Sequence, residues 1–94
     1  MRKMVISKRR IRTSGGVRLT LIYSVTIDEL SSSSFAAGVE SYGAGIYVVE
    51  LDEEICIRHI TLRMREILTF AKLLSRNYVT PSTFSDVVYD WLCR

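Results

Sequence analysis

The residue types that could support covalent or metal chemistry are few: a single histidine, two cysteines and a short run of acids. Cys56 stands three residues before His59. Successive side chains alternate along a strand, so this spacing turns the two toward opposite faces and makes no nucleophile–base pair. Cys93 is distant in sequence, and only the fold could bring it to His59. No Cys/His set has zinc spacing. Cys56 reads as a small buried hydrophobe and His59 as a half-exposed strand end. Glu50, Asp52, Glu53 and Glu54 could gather a divalent cation, but a calcium loop needs a glycine at its sharp bend, and this cluster has none. It reads as a solvated hairpin tip. Asp86 and Asp90, at i and i+4, read as the outer face of a helix rather than as a catalytic carboxylate pair. Gly43-Ala44-Gly45 lacks the GxxxxGK(S/T) and GxGxxG patterns, and a strand rather than a helix follows it. Glycines on one strand face instead predict close approach of another backbone or an aromatic ring. The expectation is a protein that is not an enzyme, with no catalytic, cofactor or metal residues.

Charge points to binding. A net charge of +3 hides a strong asymmetry. Residues 1–18 carry Arg2, Lys3, Lys8, Arg9, Arg10, Arg12 and Arg18 with no acid. Residues 19–57 carry Asp28, Glu29, Glu40, Glu50, Asp52, Glu53 and Glu54 with no base. Pairing across a sheet, or solvation of separate surfaces, is the simplest account.

The elements follow from periodicity. Leu62 to Tyr78 places Met64, Ile67, Leu68, Phe70, Ala71, Leu74 and Tyr78 on one helical face, with Arg65, Thr69, Lys72 and Arg76 on the other. Thr61 is its expected N-cap. Val17 to Ile27 alternates strictly enough to predict a half-buried strand. Ser14-Gly15-Gly16 is a turn. A three-residue loop would set Thr13 opposite Val17, Ile11 opposite Leu19 and Val5 opposite Val25. That register puts Lys8, Arg10, Arg12 and Arg18 together on the other face. Tyr42 to Leu51 and Glu54 to Ile60 form a second hairpin. Thr80-Pro81 caps and starts a last helix with Phe84, Val87, Val88 and Trp91 as its stripe. The predicted fold is α+β: an antiparallel sheet of three to four strands, built from β-hairpins, followed by two C-terminal helices on one face. One domain spans 1–94, with 1–12 a basic arm or edge strand and 28–41 a flexible loop containing Ser31–Ser34.

Two partner classes follow. The first is a protein partner, unidentified, for a small interaction or regulatory module that is also a candidate for self-association. Leu62, Leu73 and Tyr89, apolar residues on otherwise polar helix faces, are its candidate interface. The second, less favoured, is nucleic acid, met by Lys8, Arg10, Arg12 and Arg18 on the sheet and by Arg65, Lys72 and Arg76 on the helix. Strand Ile55–Ile60 and the two helices echo a ribbon-helix-helix order, but that strand offers few base-reading side chains and is committed to a hairpin. No segment approaches the ~20 apolar residues of a membrane helix. No signal-like apolar run follows the basic start, so the expected compartment is the cytoplasm, with reduced thiols and no membrane partner.

Much of the chain resembles a known pattern. Ser41-Tyr42-Gly43 leads into a strand, and Asn77 and Val79-Thr80-Pro81 link two helices. Asp86-Val87-Val88-Tyr89-Asp90-Trp91-Leu92 closes the chain. The order, with the Leu19–Tyr23 strand, is similar to a family of short uncharacterised clostridial proteins grouped as a domain of unknown function. Its pattern is a Tyr-Gly strand, an Asn-x-Val-Thr-Pro link and an Asp-Val-Val-x-Asp helix. Ala44-Gly45 and the serine run depart from it. The resemblance implies the fold and a bacterial setting, and carries no catalytic assignment.

Overall fold

The alternating residues between Leu19 and Ile27 lie in an inner strand of the sheet. The computed structural model describes residues 1–30 and 39–93. β1 (Arg2–Arg12), β2 (Arg18–Leu30), β3 (Val39–Val48) and β4 (Glu53–Thr61) form an antiparallel sheet in the order β1-β2-β3-β4. α1 (Met64–Arg76) and α2 (Pro81–Leu92) follow. The α+β reading holds, with four strands and two C-terminal helices.

One sheet face supplies Leu21, Tyr23, Val25 and Ile27 from β2 and Tyr42, Ala44, Ile46 and Val48 from β3. The helices cover it with Ile67, Phe70, Ala71 and Leu74 from α1 and Phe84 and Val88 from α2. Burial of each large side chain contributes about 1.5–3 kcal/mol. Phe70 also meets Trp91, ring centroids 4.9 Å apart. The buried Tyr23 hydroxyl donates to the Val79 carbonyl at 2.7 Å, which fastens the link between the helices to β2. Burial pushes that phenol up to about 12.

Several boundaries differ from expectation. Residues 28–30 and 39–41, expected within a loop, lie instead in the β2–β3 ladder, where Asp28 pairs with Ser41 and Glu29 with Glu40. The serine run lies outside the described residues. The expected strand Tyr42–Leu51 begins earlier and ends at Val48, and a 3₁₀ turn, Val49–Leu51, leads to left-handed Asp52. Thr61 is not the N-cap of α1, a position held by Arg63. Its hydroxyl instead accepts from the Arg63 amide at 3.2 Å and donates to Glu66 at 2.9 Å. Tyr78 is not on the buried face of α1. The helix ends earlier, with Tyr78 N–H bonded to Ser75 O and Val79 N–H to Leu74 O. This is a Schellman closure with Tyr78 in the left-handed position glycine usually takes, at φ 52°.

The first hairpin keeps its expected register near the turn, with Ile11 opposite Leu19. A bulge between Val5 and Ser7 then shifts it by one, so Val5 lies opposite Ser24 rather than Val25. The shift reverses the faces of the residues before it. Lys3 thereby moves to the face away from the helices and reaches Glu54 on β4 at 2.5 Å.

That face is curled. β4 bulges opposite Gly43, with His59 at φ 61°. A Cβ on Gly43 would fall on the Ile57 carbonyl and lie 2.6 Å from Thr26 Oγ1 and 2.7 Å from Arg58 Cα. On Gly45 it would lie 2.8 Å from Cys56 Sγ. The glycines therefore admit another backbone and a thiol, and Ser24, Thr26 and Asp28 become buried although they face away from the helices.

Gly43→Ala forces backbone apart and is expected to cost about 3 kcal/mol or more, at the upper end of overpacking penalties. Gly15→Ala, where the nearest atom would be 3.9 Å away, should change stability by about 0.5 kcal/mol or less. Urea unfolding of both variants checks the contrast.

Candidate functional site

β1 is an edge strand. Among the described residues its backbone pairs only with β2, and most of its side chains are exposed. Its cations divide between the two sides of the sheet by strand alternation.

Lys8, Arg10 and Arg12 lie on the side away from the helices. Arg12 is opposite Arg18, Arg10 opposite Thr20 and Lys8 opposite Ile22. Arg10, Arg12 and Arg18 line an open cleft of about 530 Å³ with Ile11, Leu19, Thr20 and Glu50. Glu50 is occupied at this cleft. It accepts from the Thr20 amide at 2.6 Å and the Thr20 hydroxyl at 2.7 Å. Those bonds, with Arg10 nearby, hold its carboxyl below the usual range.

On the helix side, Arg9 stands beside the end of α1. Its Nε donates to Ser75 Oγ at 3.0 Å, and Ser75 Oγ donates to Ser7 Oγ at 2.7 Å. Its guanidinium lies 5.5 Å from the centre of the Tyr78 ring. Lys72 and Arg76 join Arg9, Ile6, Ser7 and Ser75 around a second cleft of about 310 Å³. Arg65 is exposed earlier on α1 and lines neither cleft.

Among the described residues, Lys8, Arg10, Arg12, Arg18, Lys72 and Arg76 have no carboxylate within ion-pair distance. The acids are engaged elsewhere: Glu40 with Arg2, Glu54 with Lys3 and Asp28 with Arg58. The fold thus brings the predicted cations other than Arg65 to the two sides of β1, rather than to a single face. Arg9 falls outside the set expected from the sequence, although strand alternation places it with Ser7 and Ile11, opposite Tyr23, Leu21 and Leu19.

The residues weighed for chemistry have structural surroundings. Cys56 packs over Gly45, and desolvation pushes its thiol up, away from a reactive thiolate. His59 Nδ1 is 2.9 Å from Ser41 Oγ. The acids of the second turn separate, with Asp52 accepting from Tyr47 and Glu54 paired with Lys3. No group of three or more metal-binding side chains gathers among the described residues. Of the apolar candidates, Leu62 and Tyr89 are 60% and 68% exposed, while Leu73 is partly buried against the core. No described helix is long and apolar enough to cross a membrane.

The described elements define a small α+β protein. The model of the Family of unknown function (DUF6514) matches residues 2–94, and the chain belongs to that family. Neither the curated proteins nor the solved structures gave a match.

Asp28 is buried and held by a two-pronged ion pair. Arg58 donates to both its oxygens, at 2.9 and 2.5 Å, and these bonds hold its carboxyl below the ordinary range. A lowered folded-state value adds stability above the unfolded value near pH 4, which is lost as pH falls through the folded value. Asp28→Asn should therefore be less stable at neutral pH and should lose part of the wild-type acid dependence. Thermal unfolding from pH 7 down to pH 2 checks both.

Proposed function

We propose that this is a small non-catalytic interaction module whose partner is an acidic protein segment, bound along the free edge of β1. The observation that supports it most is the set of unpaired cations flanking that edge. A sheet edge offers unpaired N–H and C=O groups to an added strand. Residues 7–12, between the bulge and the turn, give an uninterrupted stretch for it. Side chains of an added strand would alternate between Lys8, Arg10 and Arg12 on one side and Arg9 on the other. The same cations oppose pairing of β1 with its copy in a second molecule, since like charges would face each other. They favour a partner rich in Asp and Glu, and they raise its association rate. In this reading the protein works inside the cell as a regulatory or assembly component.

A second reading is nucleic acid. Its support is Tyr47, a half-buried aromatic on the same sheet face as Lys8, across Ile22. An aromatic beside cations can stack a base while the cations meet phosphates.

The test is titration of the protein into labelled poly-glutamate and labelled single-stranded DNA at low and high salt. Poly-glutamate should bind at low salt, and Arg10→Glu/Arg12→Glu should weaken it at least about tenfold, as expected when two charge-assisted contacts are lost. Preference for DNA would select the second reading. Absence of binding to either at low salt would contradict both.

A further inference from the structure

We infer that the cleft between β1 and the end of α1 is a binding site for a phosphoryl dianion. Three cations line it, Arg9, Lys72 and Arg76, together with the hydroxyls of Ser7 and Ser75. Lys72 and Arg76 are exposed and unpaired among the described residues. Arg9 is different because it is held. Its Nε is bonded to Ser75, and its guanidinium lies near the face of Tyr78. Nε is the inner nitrogen of the group. Among the described residues the two terminal nitrogens meet no hydrogen-bond partner, which leaves the fork that matches two oxygens of a phosphoryl group held and open to a ligand.

The backbone supports the same conclusion. Tyr78 is a bulky residue in the left-handed region, at φ 52°, where glycine would close the helix without strain. Strain retained at one residue is a reason to ask what its side chain does. Here the ring stands against Arg9 and steadies it. Ser75 has the same effect from inside: it is buried, and it bridges Arg9 to Ser7.

Charge balance favours a dianion. The C-terminal end of a helix carries roughly half a negative charge, and three full positive charges outweigh it. A monoanion would leave most of that charge uncompensated. The cleft holds about 310 Å³, enough for a phosphoryl group and the atom that carries it. The group could be free phosphate or a phosphorylated side chain, and both present the same oxygens. This site lies on the side of β1 opposite Arg10 and Arg12. It shares Arg9 with the acidic-strand reading, but its test changes Lys72 and Arg76, which that reading does not use.

The experiment measures thermal stability in sodium phosphate at pH 8 against sodium chloride of equal ionic strength. In parallel, a serine peptide and its phosphoserine form are titrated at the same pH. A ligand that binds the folded state raises Tm in proportion to the logarithm of its concentration above Kd. Lys72→Gln/Arg76→Gln changes exposed positions only. It should lower apparent affinity at least about tenfold, as loss of charged contacts implies. A phosphate-specific rise in Tm that this variant loses assigns the site to free phosphate. Binding by the phosphoserine peptide alone, again lost in the variant, assigns it to a phosphorylated partner. No difference between phosphate and chloride together with no preference for the phosphoserine peptide would overturn the inference. So would binding that the variant leaves unchanged.

Discussion

The structure depends on the absence of a side chain at Gly43. β4 can cross close above that residue only because no Cβ stands there. The bulged strand lies close to Gly43 and Thr26, Ser24 and Thr26 are buried, and Arg58 reaches Asp28. The bulge in β1 completes the arrangement by turning Lys3 toward Glu54 across two intervening strands. One sheet face is thus packed by helices and large apolar groups. The other is packed by small residues and closed by ion pairs. A small chain has a limited core, and use of both faces adds buried area that helices alone would not provide.

This closure consumes acid. Asp28 is taken by Arg58 and Glu54 by Lys3, while Arg2 takes Glu40 on the helix side of the sheet. Among the described residues, Lys8, Arg10, Arg12 and Arg18 are left without a carboxylate partner, and the first three lie on β1, whose outer edge is open. The excess positive charge of the sequence is therefore not spread over the molecule. It borders a set of unpaired backbone groups. Edge cations protect a sheet from self-assembly, and in the function proposed above the same charges would select an acidic partner for the edge.

Much of the fold was legible because it rests on local periodicity. Leu21 to Ile27 alternates with period two, and Ile67, Phe70, Ala71 and Leu74 repeat with helical period. Thr80-Pro81 marks a helix start with little ambiguity. What was not legible depends on contacts between distant residues. The bulge at Ile6 has no turn residue or glycine to signal it, so Val5 was set opposite Val25. Tyr78 fits the apolar helical stripe, and only the Schellman closure removes it. Gly43 and Gly45 did signal close approach, and the structure supplies the backbone of β4 as the partner for Gly43. For the candidate site, the charge asymmetry was plain in the sequence. Its division between two sides of β1 was not, because Lys72 and Arg76 meet Arg9 only once α1 lies across the sheet.

Recognition at the outer edge of β1 can be followed by amide hydrogen exchange and NMR, with and without poly-glutamate at low salt. The amides of residues 7–12 not bonded to β2 should exchange quickly in the free protein and become protected on binding. Protection confined to α2, or fast exchange at those amides unchanged by a peptide that binds, would contradict it.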